Sequence, residues 1–145
     1  MPNHSDIRFT YIGGPALLIE VDGLELLADP TFDPPQEYQA GAFVHSKIAV
    51  PALEASQIGE IDVVLLTHDH HFDNLDHSGR DFLGKAKRVL TTAAAADRLQ
   101  GNTVGLEAWQ SIVLTTASNK TLSVTATPAR HGPEGMTVVP LSAFC

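Results

Sequence analysis

Asp62-Val63-Val64-Leu65-Leu66-Thr67-His68-Asp69-His70-His71-Phe72-Asp73-Asn74-Leu75-Asp76-His77 is the stretch on which the reading of this chain turns. Its first five residues form a short, almost continuous apolar run, the pattern of a strand buried on both faces. The next eleven, residues 67–77, hold four His and three Asp. A single His in a polar loop is ordinarily just solvated. So dense a cluster, at the end of a buried strand, is instead the composition of a metal site. Imidazole and carboxylate suit zinc, iron or manganese. Alternate residues of an extended backbone project to one side, so His68 and His70 can converge on one ion, and Asp73 follows within a tight turn. A loop leaving a rigid strand is a stable platform for such ligands.

Upstream, residues 7–12 are β-rich and stop at Gly13-Gly14-Pro15. Residues 16–21 form a second apolar run, Asp22-Gly23 matches a two-residue hairpin turn, and residues 24–28 form a third strand. An antiparallel meander is expected. Residues 29–42, with Pro30, Pro34, Pro35 and Gly41, read as one long loop. Its aromatics Phe32 and Tyr38, with Phe43 just beyond, are expected to pack back on the domain. Downstream, Leu75, Gly79, Phe82 and Leu83 fall at helical spacing, with Gly84 as the C-terminal cap. A strand is expected over 88–92, a helix over 93–100, and strands over 111–115 and 121–127. In the last of these Leu122, Val124 and Ala126 share one face. It leads to Ala129-Arg130-His131-Gly132-Pro133. Strands mixed with short helices indicate an α/β or α+β fold, and 145 residues fit one domain over 1–145.

The His-x-His-then-Asp segment, Ala28-Asp29-Pro30 after the third strand, and the strand leading to His131 occur in an order that resembles the metallo-β-lactamase superfamily, in particular its stand-alone bacterial hydrolases. The resemblance runs from about Ile7 to about Pro133. It implies a partial αββα sandwich, mainly the N-terminal mixed sheet with flanking helices. It implies that His68, His70 and His131 hold a first metal, that Asp73 holds a second and orients the attacking water, and that Asp29 lies beside the site as a supporting acid. The implied cofactor is one or two Zn2+ ions, with Mn2+ or Fe2+ as substitutes. The implied activity is hydrolysis of an ester, lactone, amide or phosphodiester in a small-molecule substrate by metal-activated water. The alternative is a non-catalytic metal-binding or interaction fragment of the same fold.

Two departures from that pattern matter. His71 and Phe72 separate His70 from Asp73, and Asn74 stands where the family has a final His. Either a second metal binds weakly or His71 takes the missing role; otherwise His71 supports the ligands from the loop. Secondly, the residues after His131 contain no Asp and no His, so the bridging Asp and last imidazole of the family have no counterpart. The C-terminal part of the family fold is expected to be missing, and the sheet face left uncovered is expected to favour self-association. His77 is expected to be a solvated helix residue, and His4 and His45 to lack ligand-like neighbours.

Nine Lys and Arg against seventeen Asp and Glu give a net charge of −8, which argues against nucleic acid or an anionic membrane as partner. The one cysteine, Cys145, allows no internal disulfide. No leader-like N-terminus and no membrane-spanning run is visible, so a cytoplasmic protein is expected.

Overall fold

The computed structural model describes residues 7–130 and 141–144. The expected meander is present as β1 (Ile7–Gly13), β2 (Ala16–Val21) and β3 (Leu24–Ala28), all antiparallel. Its second turn places Asp22 at φ 46° and Gly23 at φ 80°. Both values are left-handed, as a two-residue hairpin requires. The Asp22 carboxylate accepts from Thr116 Oγ1 at 2.5 Å and from the Ser118 hydroxyl. A Cβ on Gly23 would fall 2.6 Å from that of Ala117. This turn therefore ties the first sheet to a segment almost a hundred residues downstream.

The expected hairpin-free loop over 29–42 is not what forms. After residues 29–35 the chain builds a two-stranded ribbon, β4 (Gln36–Ala40) paired antiparallel with β5 (Phe43–Lys47). Gly41 turns it at φ 61°. Only Tyr38 of the ribbon is buried, so no apolar alternation marked it in the sequence.

The apolar run becomes β6 (Ile61–Leu65), parallel to β3 on one side and to β7 (Ala86–Thr92) on the other. A further parallel strand, β8 (Thr103–Leu106), completes a six-stranded mixed sheet in the order β1-β2-β3-β6-β7-β8. β8 is short and interrupted by Gly105. A Cβ there would lie 2.6 Å from Ala93 Cα; the glycine that weakens the strand signal lets the following layer approach.

That layer includes α2 (Ala93–Leu99), capped by Thr92, whose side chain accepts from Ala95 N. The earlier helix, α1 (His77–Phe82), is capped at its start by Asp76 and runs into a 3-10 turn over Leu83–Lys85. Leu75 precedes α1, and Leu83 rather than the expected Gly84 is its C-terminal cap.

One face of the sheet packs Ile12, Leu27, Val64 and Val89 against Phe32, Leu75, Phe82 and Leu83. On the other, Leu26, Val63, Leu90 and Leu106 meet Leu114, Val124 and Ala126. These last belong to a second sheet of β9 (Ser111–Thr115), β10 (Thr121–Ala129) and β11 (Leu141–Phe144), in the order β11-β10-β9. Fully burying such a side chain stabilises by about 1.5–3 kcal/mol, so the sheet–sheet contact holds the layers together. The face is not covered everywhere. Ile7, Phe9 and Tyr11 of edge strand β1 pair with Val21, Ile19 and Leu17 on this side and stay exposed. Among the described residues no helix is long and apolar enough to cross a membrane.

Candidate metal centre

The parallel strands β3 and β6 end side by side, with Ala28 opposite Leu65. Ligands of α/β sheets gather at such strand ends. Here the two exits are bonded together, Asp29 N donating to Leu65 O at 3.0 Å. Asp29 holds φ 33°, a left-handed value that a short polar residue tolerates. The turn aims its carboxylate at the His loop. Asp29 Oδ1 accepts from Thr67 N at 2.7 Å, Thr67 Oγ1 lies 2.9 Å from Oδ2, and Asn74 Nδ2 donates to Oδ2 at 3.2 Å. Burial raises the Asp29 carboxyl to about 6, against the opposing bonds from Thr67 and Asn74, so at neutral pH the ionised form predominates.

This arrangement fixes the tautomer of His68. Thr67 Oγ1 lies 2.9 Å from His68 Nδ1. A hydroxyl has one proton, and the Asp29 carboxylate, which can only accept, takes it. His68 Nδ1 must then carry the proton it donates to Thr67, which leaves Nε2 as the lone-pair nitrogen. A carboxylate acting behind a ligand imidazole is the usual outer support of a metal site.

His70 has its own support. Its Nδ1 is 3.3 Å from Asp69 Oδ1. Asp69, the residue between the two histidines, is buried and receives Arg98 Nε at 2.9 Å and Nη2 at 2.5 Å, while Arg80 Nη2 donates to its carbonyl at 2.7 Å. Burial opposes the charge on Asp69, but the bonds from Arg98 and His70 outweigh it and hold the carboxyl below its ordinary range.

The rings of His68, His70 and His71 stand 5.4, 5.2 and 5.1 Å apart, centre to centre. Imidazoles bound tetrahedrally at about 2.0–2.1 Å to one zinc have ring centres roughly 5 Å apart, so the spacing suits a shared ion. As the side chains lie, however, no three His, Cys, Asp or Glu among the described residues meet the geometry to hold a metal. His131 lies outside the described residues. Asp73 is mostly exposed, its Oδ1 3.8 Å from His71 Nδ1. Asn74 is turned to Asp29 and Thr67, whose Oγ1 it also reaches at 3.2 Å. The donor chemistry of these side chains, imidazole and carboxylate, fits a divalent cation.

Beneath the loop lies a network that the sequence reading did not foresee. Asp76, fully buried, accepts from Gly79 N at 2.8 Å, Phe32 N at 3.0 Å, Asp33 N at 2.7 Å and Lys47 Nζ at 2.9 Å. Asp33 in turn accepts from Tyr38 Oη at 2.9 Å and from Ser78 N at 3.0 Å. Tyr38 stacks on Phe72 with ring centres 4.6 Å apart. Of the three loop aromatics expected to pack inward, Phe32 and Tyr38 do so, whereas Phe43 is exposed. His77 is exposed at the start of α1, its ring 5.1 Å from Phe72. His45 departs from expectation: it sits on β5 with its ring 6.4 Å from that of His71, edge-on at 89°. An Asp directly before a helix start is a readable N-cap signal for Asp76. Nothing local marked His45. A cavity of about 450 Å³ opens beside Phe72 and Asp73 and is walled by residues 13–15 and 45–51.

No sequence-family profile matches the chain. Solved structures do match its fold. An isothiocyanate hydrolase from Delia radicum gut bacteria aligns over 87% of this chain and 49% of its own, with TM-score 0.65 and 18% identity. A metallo hydrolase from the archaeon Ignicoccus hospitalis aligns over 96% of this chain and 55% of its own, with TM-score 0.59 and 18% identity. CmlA, a diiron β-hydroxylase from Streptomyces venezuelae, aligns over 99% of this chain and 28% of its own, with TM-score 0.65 and 16% identity. The chain thus spans about half the length of the two hydrolases and less of the hydroxylase. The mixed sheet, its flanking helices and the sheet packed on its inner face are those of the metallo-β-lactamase-like metallo-hydrolase fold.

Proposed function

We propose that this chain is a metal-dependent hydrolase whose metal is held by the loop after β6. The observation that carries the reading is the imidazole cluster at the strand exit, with His68 oriented through Thr67 by Asp29 and His70 by Asp69. His68 and His70 would serve as the paired ligands, with His131, two residues beyond β10 in sequence, as the third, and His71 in the role of the motif's final His, where this chain has Asn74. A bound divalent cation would supply Lewis acidity, lowering the pKa of coordinated water to about 7. Zn2+ is the first choice for three imidazoles with an open position. The diiron neighbour supports Fe2+ as an alternative, and Mn2+ suits the carboxylate. Asp73, exposed at the edge of the cavity, would hold the attacking water and accept its proton. Asn74 would keep Asp29 and Thr67 in register rather than bind metal. The substrate is a small molecule carrying an ester, lactone, amide or phosphodiester bond, and the location is the cytoplasm.

One observation favours a second reading, a non-catalytic metal-binding or interaction fragment of the same fold: an apolar strip lies exposed along β1. The exposed Ile7, Phe9 and Tyr11 on β1 offer such a domain a surface for self-association. Turnover of a panel of esters, lactones, amides and phosphodiesters, with Zn2+, Mn2+ or Fe2+, separates the readings. Hydrolysis abolished in His68→Ala supports the enzyme. Stoichiometric metal binding without any turnover supports the fragment.

A further inference from the structure

The cavity beside the His loop has a chemistry of its own. Its volume of about 450 Å³ lies within the range of small-molecule sites, about 300–1,000 Å³. Phe72 and Asp73 bring the His loop to one end of it, while β5 and its exit form a long wall. Among the described lining residues the one Lys or Arg is Lys47, and its charge is answered by Asp76 at 2.9 Å. Asp73 adds a carboxylate, so Lys47, Asp73 and the Asp76 behind the lining together carry one net negative charge. Ile48 and Val50 also line the cavity, yet are 88% and 72% exposed. Apolar groups of this size, side by side at the mouth of a concavity and left in water, mark a surface that binds apolar matter. His45 stands in the same wall, half-buried, edge-on to His71.

We propose that this cavity binds the apolar part of a small, uncharged substrate, and that His45 hydrogen-bonds the polar group such a substrate presents toward His71 and Asp73. The proposal deepens the hydrolase reading and rests on it for the word substrate; the binding itself needs no metal. Ile48 and Val50 lose their exposed area on binding. With Lys47 paired to Asp76 and Asp73 at the cavity's edge, the described lining disfavours carboxylates and phosphates in the metal-free chain. His45 is a positioning residue here, since it is placed to orient a polar group next to the His loop.

The test is amide-resolved NMR on the full chain, metal-free, titrated with neutral acetanilide and with benzoate, an anion of similar size. Acetanilide is expected to shift the amides of Gly13, Gly14 and residues 46–50 saturably, with benzoate at least about tenfold weaker. Ala49→Trp, at an exposed position of the wall, should weaken acetanilide by at least about tenfold while the rest of the spectrum is unchanged. His45→Phe should weaken it and His45→Gln restore it. Shifts confined to other regions, benzoate binding as tightly as acetanilide, or indifference to Ala49→Trp in a folded protein would overturn the proposal. Cavity binding without turnover of any member of the ester, lactone, amide and phosphodiester panel by the metal-loaded chain keeps this site and removes the hydrolase. Turnover unaffected by Ala49→Trp removes this site and keeps the hydrolase.

Discussion

Replacing Gly79 by Ala should cost more than any other single-methyl change in α1. A Cβ at Gly79 would stand 1.9 Å from the Pro30 carbonyl oxygen and 2.7 Å from its carbon. Helix and loop must part by about 1 Å to regain the 3.0 Å that real Cβ atoms keep. Neither side can yield freely. Asp29, just before Pro30, is bonded to Leu65 and Thr67. Phe32 and Asp33, just after it, are bonded to Asp76, which caps the same helical turn. Forced overpacking costs about 1–3 kcal/mol, and each stretched bond about 0.5–1.5 kcal/mol. Ala gains about 1 kcal/mol over Gly in helix propensity, leaving a net loss of about 2–3 kcal/mol. Gly84→Ala is the control, because its Cβ would meet nothing within 4 Å and should stabilise by up to about 1 kcal/mol. Urea unfolding of both variants at pH 7, metal-free, checks the difference. Equal midpoints would refute the idea that close approach of α1 to Pro30 sets the position of Asp29.

Other outcomes follow from the same contacts. Burial raises Asp29 from 3.8 to about 6, so its contribution to stability is fully present below 3.8 and lost as pH rises through 6. Relative to wild type, metal-free Asp29→Asn should therefore gain roughly 3 kcal/mol between pH 3.5 and pH 7; a flat difference in urea midpoints would contradict this. Arg98→Ala strands the buried Asp69 carboxylate. It should cost about 2 kcal/mol, less than a fully buried pair because Arg98 is half-exposed, and weaken zinc about tenfold through His70, read by chelator competition. Tyr38→Phe keeps the stack on Phe72 but loses the bond to Asp33, for about 1 kcal/mol. Tyr38→Ala loses both and should cost about 3–5 kcal/mol by analogy with large aromatic truncations; denaturant titration distinguishes the two.

Much of the architecture could be read from local signals. The run over 62–66 announces a buried central strand because both faces need apolar residues, and Asp22-Gly23 announces a hairpin because both residues must turn left-handed. The ribbon β4–β5 gave no such signal, since Tyr38 alone is buried among its ten residues. What holds it are contacts distant in sequence: Tyr38 on Phe72, and Lys47 on Asp76. The same contacts carry His45 to His71, so no spacing rule could have found it. The His loop was conspicuous as a composition, but the work of Asp69 was not. Its side chain is buried, and Arg98 of α2, distant in sequence, meets it there. Gly84 looked like a helix stop, yet the helix tightens into a 3-10 turn and continues through it.

The central claim, that imidazoles of the loop after β6 hold a divalent cation, is tested most directly by zinc titration of the full chain against a competing chelator. The structure predicts saturable binding that falls by about 100-fold when His68→Ala or His70→Ala removes one ligand of the set. Zinc bound equally well by the double variant His68→Ala/His70→Ala, or not bound by the wild type at all, would contradict it.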